Sequence, residues 1–160
     1  MEPGNTLFSG DTSQMDCALE LARIAAAAGE VPIGAIVVSP EGIIIGRGKN
    51  AVESMGTQRA HAEMLALEDA AISTGNWRLS GCILYVTLEP CMMCIGMAIL
   101  SRVSVVVYGA TSPLFGSHLD TDISSPVYRS GSIQLVGGVR AQEAAELLRD
   151  FFQKKRKKSE

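Results

Sequence analysis

Residues 82–110 read CILYVTLEPCMMCIGMAILSRVSVVVYGA, and their pattern decides the fold. Residues 82–87 form an unbroken run rich in Ile, Leu, Tyr and Val, which predicts a buried strand. Leu88-Glu89-Pro90 then leads into a helix starting near Cys91, because proline is tolerated where a helix begins and its missing N–H has no partner anyway. Residues 103–108 are dense in Val and predict a second buried strand.

The flanking sequence extends this strand–helix–strand unit on both sides. Upstream, IGAIVVSP (33–40) and GIIIGRGKN (42–50) are two β-rich runs meeting at Pro40-Glu41-Gly42, the pattern of a hairpin. Residues 61–73 place Ala62, Leu65 and Ala66 at helical spacing, and residues 76–81 break the chain. Near the start, Met15, Ala18, Leu19, Ala22, Ala25 and Ala26 share one helical face, with Glu20 and Arg23 on the other. Ser13 or Asp11 is the expected cap and Gly29 the expected stop. Residues 109–130, rich in Gly, Ser, Pro and Asp, predict a long loop or a short helix, and residues 132–136 a last strand. Ala144, Leu147, Leu148, Phe151 and Phe152 mark a C-terminal amphipathic helix. The alternation predicts an α/β domain, with parallel strands covered by helices on both faces and joined to an antiparallel hairpin. One domain over residues 1–160 is expected, with 1–12 and 154–160 flexible.

With 160 residues and 47% apolar composition, the chain can build a sizeable core. No stretch is apolar for long enough to span a bilayer, and residues 1–14 do not read as a signal peptide. A cytoplasmic protein is therefore expected. The net charge of −3 is unevenly spread: residues 154–158 read KKRKK, leaving 9 basic against 16 acidic residues over 1–153, a balance of −7. An acidic body with a basic tip does not suit a general nucleic-acid coat. The tip reads either as a solvated helix end or as a phosphate contact. Four cysteines are too few for a disulfide scaffold of this length, and they point to metal or redox chemistry.

Two motifs carry the chemistry: His61-Ala62-Glu63 and Pro90-Cys91-Met92-Met93-Cys94. Each opens a predicted helix, where side chains splay around the helix end toward one point. If the two helix starts face each other, one imidazole and two sulfurs converge, and the positive helix ends favour thiolates. One His and two Cys suit Zn²⁺ and leave its fourth position for water, which the metal makes acidic enough to supply hydroxide near neutral pH. A structural zinc would close that position with a fourth ligand, and a Cys-x-x-Cys pair alone equally fits redox exchange. The pairing with His-x-Glu favours a catalytic metal, with Glu63 as the proton carrier.

At these residues the sequence resembles the cytidine deaminase superfamily, most closely its bacterial-type tRNA-specific adenosine deaminases, whose signature is His-x-Glu followed by Pro-Cys-x-x-Cys. Residues 30–35, 61–67, 84–94, 101–103, 108–110 and the end of the chain from 147 to 156 carry the likeness. It implies a three-layer α/β/α sandwich with a five-stranded mixed sheet, one Zn²⁺ per subunit held by His61, Cys91 and Cys94, and a homodimer. It also implies hydrolysis of adenosine to inosine at the wobble position, with the tRNA anticodon stem-loop as partner. Asn50 is then expected to hydrogen-bond the base, with Pro32, Ile33 and Ala62 at the pocket; an ordinary polar cap at a strand end is the alternative for Asn50. The likeness weakens after Ala110. Family members continue with Arg-Asp and a Lys-containing, Gly-rich loop, whereas Thr111-Ser112-Pro113-Leu114-Phe115-Gly116 carries neither charge. Deamination of a free nucleobase or nucleoside (cytosine, guanine or a modified purine) is therefore the alternative activity. A catalytically dead zinc- or RNA-binding subunit is a third reading, which the intact Glu63 opposes.

Other residues have plainer expected roles. Cys17 and Cys82 are read as small buried residues, and Met92 and Met93 as side chains packing against core or dimer surface. His118 is read as a surface residue, Trp77 as the cover of a core edge with base stacking as the alternative, and Glu89 as an acceptor of backbone hydrogen bonds near the metal loop.

Overall fold

The structure, a computed structural model, describes residues 12–119 and 133–160. The expected flexibility of residues 1–11 and the loop beyond residue 119 lie outside the described residues. In chain order the elements are α1 (Ser13–Ala27), β1 (Gly34–Val38), β2 (Ile44–Lys49), a short α2 (Val52–Met55), a 3-10 turn (Gln58–Ala60) and α3 (Ala62–Thr74). There follow β3 (Ile83–Leu88), α4 (Met92–Leu100), β4 (Val105–Ala110), a 3-10 turn (Ser117–Leu119), β5 (Gln134–Val136) and α5 (Ala141–Lys158).

The five strands form one mixed sheet in the order β2-β1-β3-β4-β5. β1 pairs antiparallel with β2 and β3, while β3–β4 and β4–β5 are parallel. Period-2 alternation divides the strand residues between two cores. Ala35, Val37, Leu84, Val86 and Val106 face α3 and α4, meeting Ala66, Leu67, Ala70, Ile95 and Ala98. Ile36, Val38, Tyr85, Val105 and Val107 face α1 and α5, meeting Met15, Ala18, Leu19 and Ala144. This is the expected three-layer sandwich around a five-stranded mixed sheet.

Helix α3 lies unusually close to β2, because the strand offers glycine where the helix offers alanine. A Cβ on Gly48 would meet the Ala62 carbonyl oxygen at 2.1 Å, and one on Gly46 would meet that of Ala66 at 2.3 Å. The contact fixes the start of α3, and with it His61 and Glu63.

Several local expectations are corrected and others gain detail. The N-cap of α1 is Thr12, without a side-chain bond, rather than Ser13 or Asp11. β4 begins at Val105; Val103 is buried but precedes the strand. Cys17 is exposed, since it stands on the face of α1 turned from the sheet, while Cys82 is buried as expected. Trp77 is half-exposed, with the Arg78 guanidinium 4.3 Å above its ring. The tip expected to be flexible continues α5 as helix through Lys158 with exposed side chains. Its sequence explains why: Ala, Glu, Leu, Lys and Arg are strong helix formers, and cations in the last turn complement the helix dipole.

Candidate active site

The two chemical motifs sit at neighbouring helix starts. His61 is the N-cap of α3 (φ −63°, ψ 144°) and Cys91 the N-cap of α4 (φ −76°, ψ 172°). Both are extended rather than helical, which frees their side chains to turn toward one point. Cys94 lies in the first turn of α4. Pro90 stands two residues ahead of that helix, and its carbonyl accepts the N–H of Ser117 at 3.1 Å. The crossover from β3 to parallel β4 places α4 against the sheet, while the β2–α3 contact brings His61 beside it.

His61 Nδ1 is 3.7 Å from Cys91 Sγ and 3.4 Å from Cys94 Sγ, and the two sulfurs are 3.7 Å apart. Zn–S bonds of about 2.3 Å and Zn–N bonds of about 2.0–2.1 Å set tetrahedral ligands about 3.8 Å (S–S) and about 3.6 Å (N–S) apart. The donor triangle therefore fits zinc. The ring orientation fits as well: His61 Nε2 donates to Gln58 Oε1 at 3.1 Å, which leaves Nδ1 as a lone-pair donor facing the sulfurs.

The electrostatics match a cation site. The hydrogen bond from Cys94, with help from His61, pulls the Cys91 thiol down to about 4. Donating that bond pushes Cys94 strongly upward, with burial and the Glu63 charge adding to it. The Cys91 contact also raises His61. Glu63 follows one residue into α3 and is 4% exposed. Burial pushes its carboxyl up to about 7, against the opposing pull of its own backbone N–H and of His61.

These groups open into a cavity of about 570 Å³ lined by Ile33, Gln58, His61, Glu63, Leu88, Glu89, Cys91, Met93, Ser112 and Phe115. Its size falls in the range of about 300–1,000 Å³ typical of small-molecule sites. A larger concavity of about 790 Å³ lies at the far end of α4, around Trp77, Leu100 and Arg102, and its lining holds no His, Cys or acid.

The expected metal and proton-carrying residues thus converge. Of the four expected substrate residues, Ile33 lines the cavity. Pro32, Ala62 and Asn50 are buried and are not among the lining side chains. Asn50 Nδ2 donates to the Val31 carbonyl at 3.2 Å and its Oδ1 accepts the Val52 N–H at 3.4 Å, so it also braces the strand end. Met93, expected to pack against core or dimer surface, is 40% exposed in the single chain and lines the cavity.

Glu89 is 3% exposed and accepts the backbone N–H groups of Ser112 (3.1 Å) and His118 (2.8 Å), as expected of it. It also takes the Ser117 hydroxyl (3.3 Å) and His118 Nδ1 (2.7 Å), so His118 is a surface residue with a structural tie. Burial would raise the Glu89 carboxyl, but these donors outweigh it and hold it below the usual carboxylate value. Sequence reading missed Gln58, Ser112 and Phe115. Only the charge-poor 111–116 loop hinted at the last two.

Residues 9–110 match the family described as the cytidine and deoxycytidylate deaminase zinc-binding region. The chain belongs to that family. The matched region is a deaminase zinc-binding region, and His61, Cys91 and Cys94 within it form a group that could hold the metal. Among curated relatives, a tRNA(Ile)-lysidine synthase of Deinococcus deserti is 48% identical over 143 residues, covering 88% of this chain. The deaminase spans only about a quarter (26%) of that relative's length. A tRNA-specific adenosine deaminase of Bacillus subtilis is 42% identical over 149 residues, covering 92% of both chains. Among solved structures, one from a study of A-to-I editing by tRNA:A34 deaminases superposes with a TM-score of 0.77 at 35% identity, covering 86% of this deaminase and 100% of that chain. A guanine deaminase of Nitrosomonas europaea reaches a TM-score of 0.76 at 28% identity, covering 90% and 85%. Backbone similarity therefore does not separate the substrates. Among the described residues, no helix is long and apolar enough to cross a membrane.

Proposed function

We propose that this deaminase converts adenosine to inosine at the wobble position of a tRNA anticodon. The observation that carries the reading is the 42% identity to a tRNA-specific adenosine deaminase along 92% of both chains, with the metal and proton-carrying residues gathered in one open cavity. One zinc per subunit would be held by His61 Nδ1, Cys91 Sγ and Cys94 Sγ. Bound there, zinc supplies an acidified water as the nucleophile. Glu63 would carry the attacking water's first proton to the ring nitrogen, and its second, released as the added oxygen becomes a carbonyl, to the amino group that leaves as ammonia. Its burial, which pushes the carboxyl above its usual value, suits a group that must both take and give a proton. Gln58 holds the His61 ring in the ligating orientation. Ile33, Leu88 and Met93 give the base apolar walls, and Asn50 braces the strand end behind them through its two backbone bonds. A homodimer and a cytoplasmic location are part of this proposal, supported by the family resemblance alone.

The charge-poor 111–116 loop favours a second reading, deamination of a free base such as guanine. Competition separates the two. An arginine tRNA with an A-starting anticodon and a panel of free bases and nucleosides are offered together, and ammonia and inosine are followed. Inosine in the tRNA with inert free bases supports the proposal; ammonia from a free base with unchanged tRNA rejects it.

A further inference from the structure

Phe115 is 74% exposed, yet it shares the cavity with His61, Glu63 and Cys91. A ring left open to water contributes little to a core, and its neighbour Leu114 is 76% exposed as well. The loop that carries them is held in place. Glu89 receives four donors from it, the Phe115 N–H reaches the Ser112 hydroxyl at 3.4 Å, and the Gly116 N–H reaches the Ser112 carbonyl at 3.2 Å. The ring is therefore displayed on a pre-organised support, which lowers the ordering cost of any contact it makes.

The chemistry of the display narrows its ligand. Residues 111–119 contain no Lys or Arg, so this rim does not grip phosphate with a permanent cation. A planar apolar ring at the mouth is suited to the face of another planar group. A nucleotide drawn into such a pocket leaves its neighbours unstacked, and aromatic side chains commonly restore that stacking. The inner walls, Ile33, Leu88 and Met93, already serve the base that reacts.

We propose that Phe115 is the stacking platform for an unpaired base next to the one deaminated. It is a specificity-determining residue for single-stranded nucleic acid over free nucleobases. This rests on the proposed reading of a nucleic-acid substrate at the same site.

The test uses the zinc-loaded protein and anticodon stem-loop RNAs with the reactive adenosine flanked by normal bases, or by an abasic nucleotide on its 5′ or its 3′ side. For Phe115→Ala, kcat/KM on the intact stem-loop falls about 5- to 100-fold, the span of base–aromatic stacking. The loss resides mainly in KM, and Phe115→Trp restores activity. With one of the two abasic RNAs the wild type is already impaired and Phe115→Ala costs nothing more. Zinc content, melting temperature and oligomeric mass stay at wild-type values. An equal penalty on intact and both abasic RNAs, or a drop in oligomeric mass, overturns the stacking role while leaving the tRNA reading intact. Wild-type protein that leaves every stem-loop unchanged overturns both.

Discussion

Glu63 and the three ligands divide the chemistry between them, and single substitutions separate the shares. Glu63→Gln keeps the shape of the side chain and removes the proton carrier. Zinc content and melting temperature should stay unchanged while turnover falls about 10²- to 10⁴-fold, read by ammonia release and metal analysis on the same sample. A variant that keeps wild-type turnover would show that another group moves the proton. Gln58 acts one step further out. Gln58→Leu removes the acceptor that orients the His61 ring, and zinc affinity should fall about 10- to 100-fold in chelator competition. Unchanged affinity would mean that packing alone sets the ring.

Glu30 shows how one buried side chain organises a whole element. Its carboxylate oxygens accept the N–H groups of Ser54 (2.7 Å) and Glu53 (3.1 Å), at the start of α2. Burial alone would raise its pKa, but these N–H groups, the Ser54 hydroxyl and the Lys49 charge outweigh it and hold the carboxyl below its usual value. A depressed carboxyl contributes stability that is complete above the unfolded-state value, about 4.3, and fades as pH falls through the lower folded-state value. Glu30→Gln should therefore cost on the order of 1–2 kcal/mol at neutral pH, and the gap to wild type should close on acidification below about pH 4. Urea midpoints across that range check it; a gap independent of pH would place the effect in packing. Long elements such as α1, β1, β3 and α3 were legible because their apolar residues repeat over many positions. The four-residue α2 and the 3-10 turn that brings Gln58 to His61 have no room for a period. The Glu89–His118 tie joins residues 29 apart, and His118 lies in a loop of Ser, Pro and Gly where no periodic signal exists. The metal triad was legible for a different reason, since its residue types and spacing are dictated by the ion.

At the scale of the whole molecule, charge and substrate choice remain linked. The acidic body ends in a basic helical turn, Lys154 to Lys158, exposed on α5. Truncation after Gln153 should weaken stem-loop binding and flatten its salt dependence by about one logarithmic unit for each phosphate the tip neutralises. An unchanged slope would make the tip a solvated helix end. The account as a whole rests on one reaction at one site. Its most direct measurement is inosine at the first anticodon position of an arginine tRNA after incubation with zinc-loaded protein, with Glu63→Gln alongside. The expected result is complete conversion by the wild type and none by the variant at equal zinc content. An unmodified tRNA in both samples, with ammonia released from guanine or another free base by the wild type alone, would contradict it.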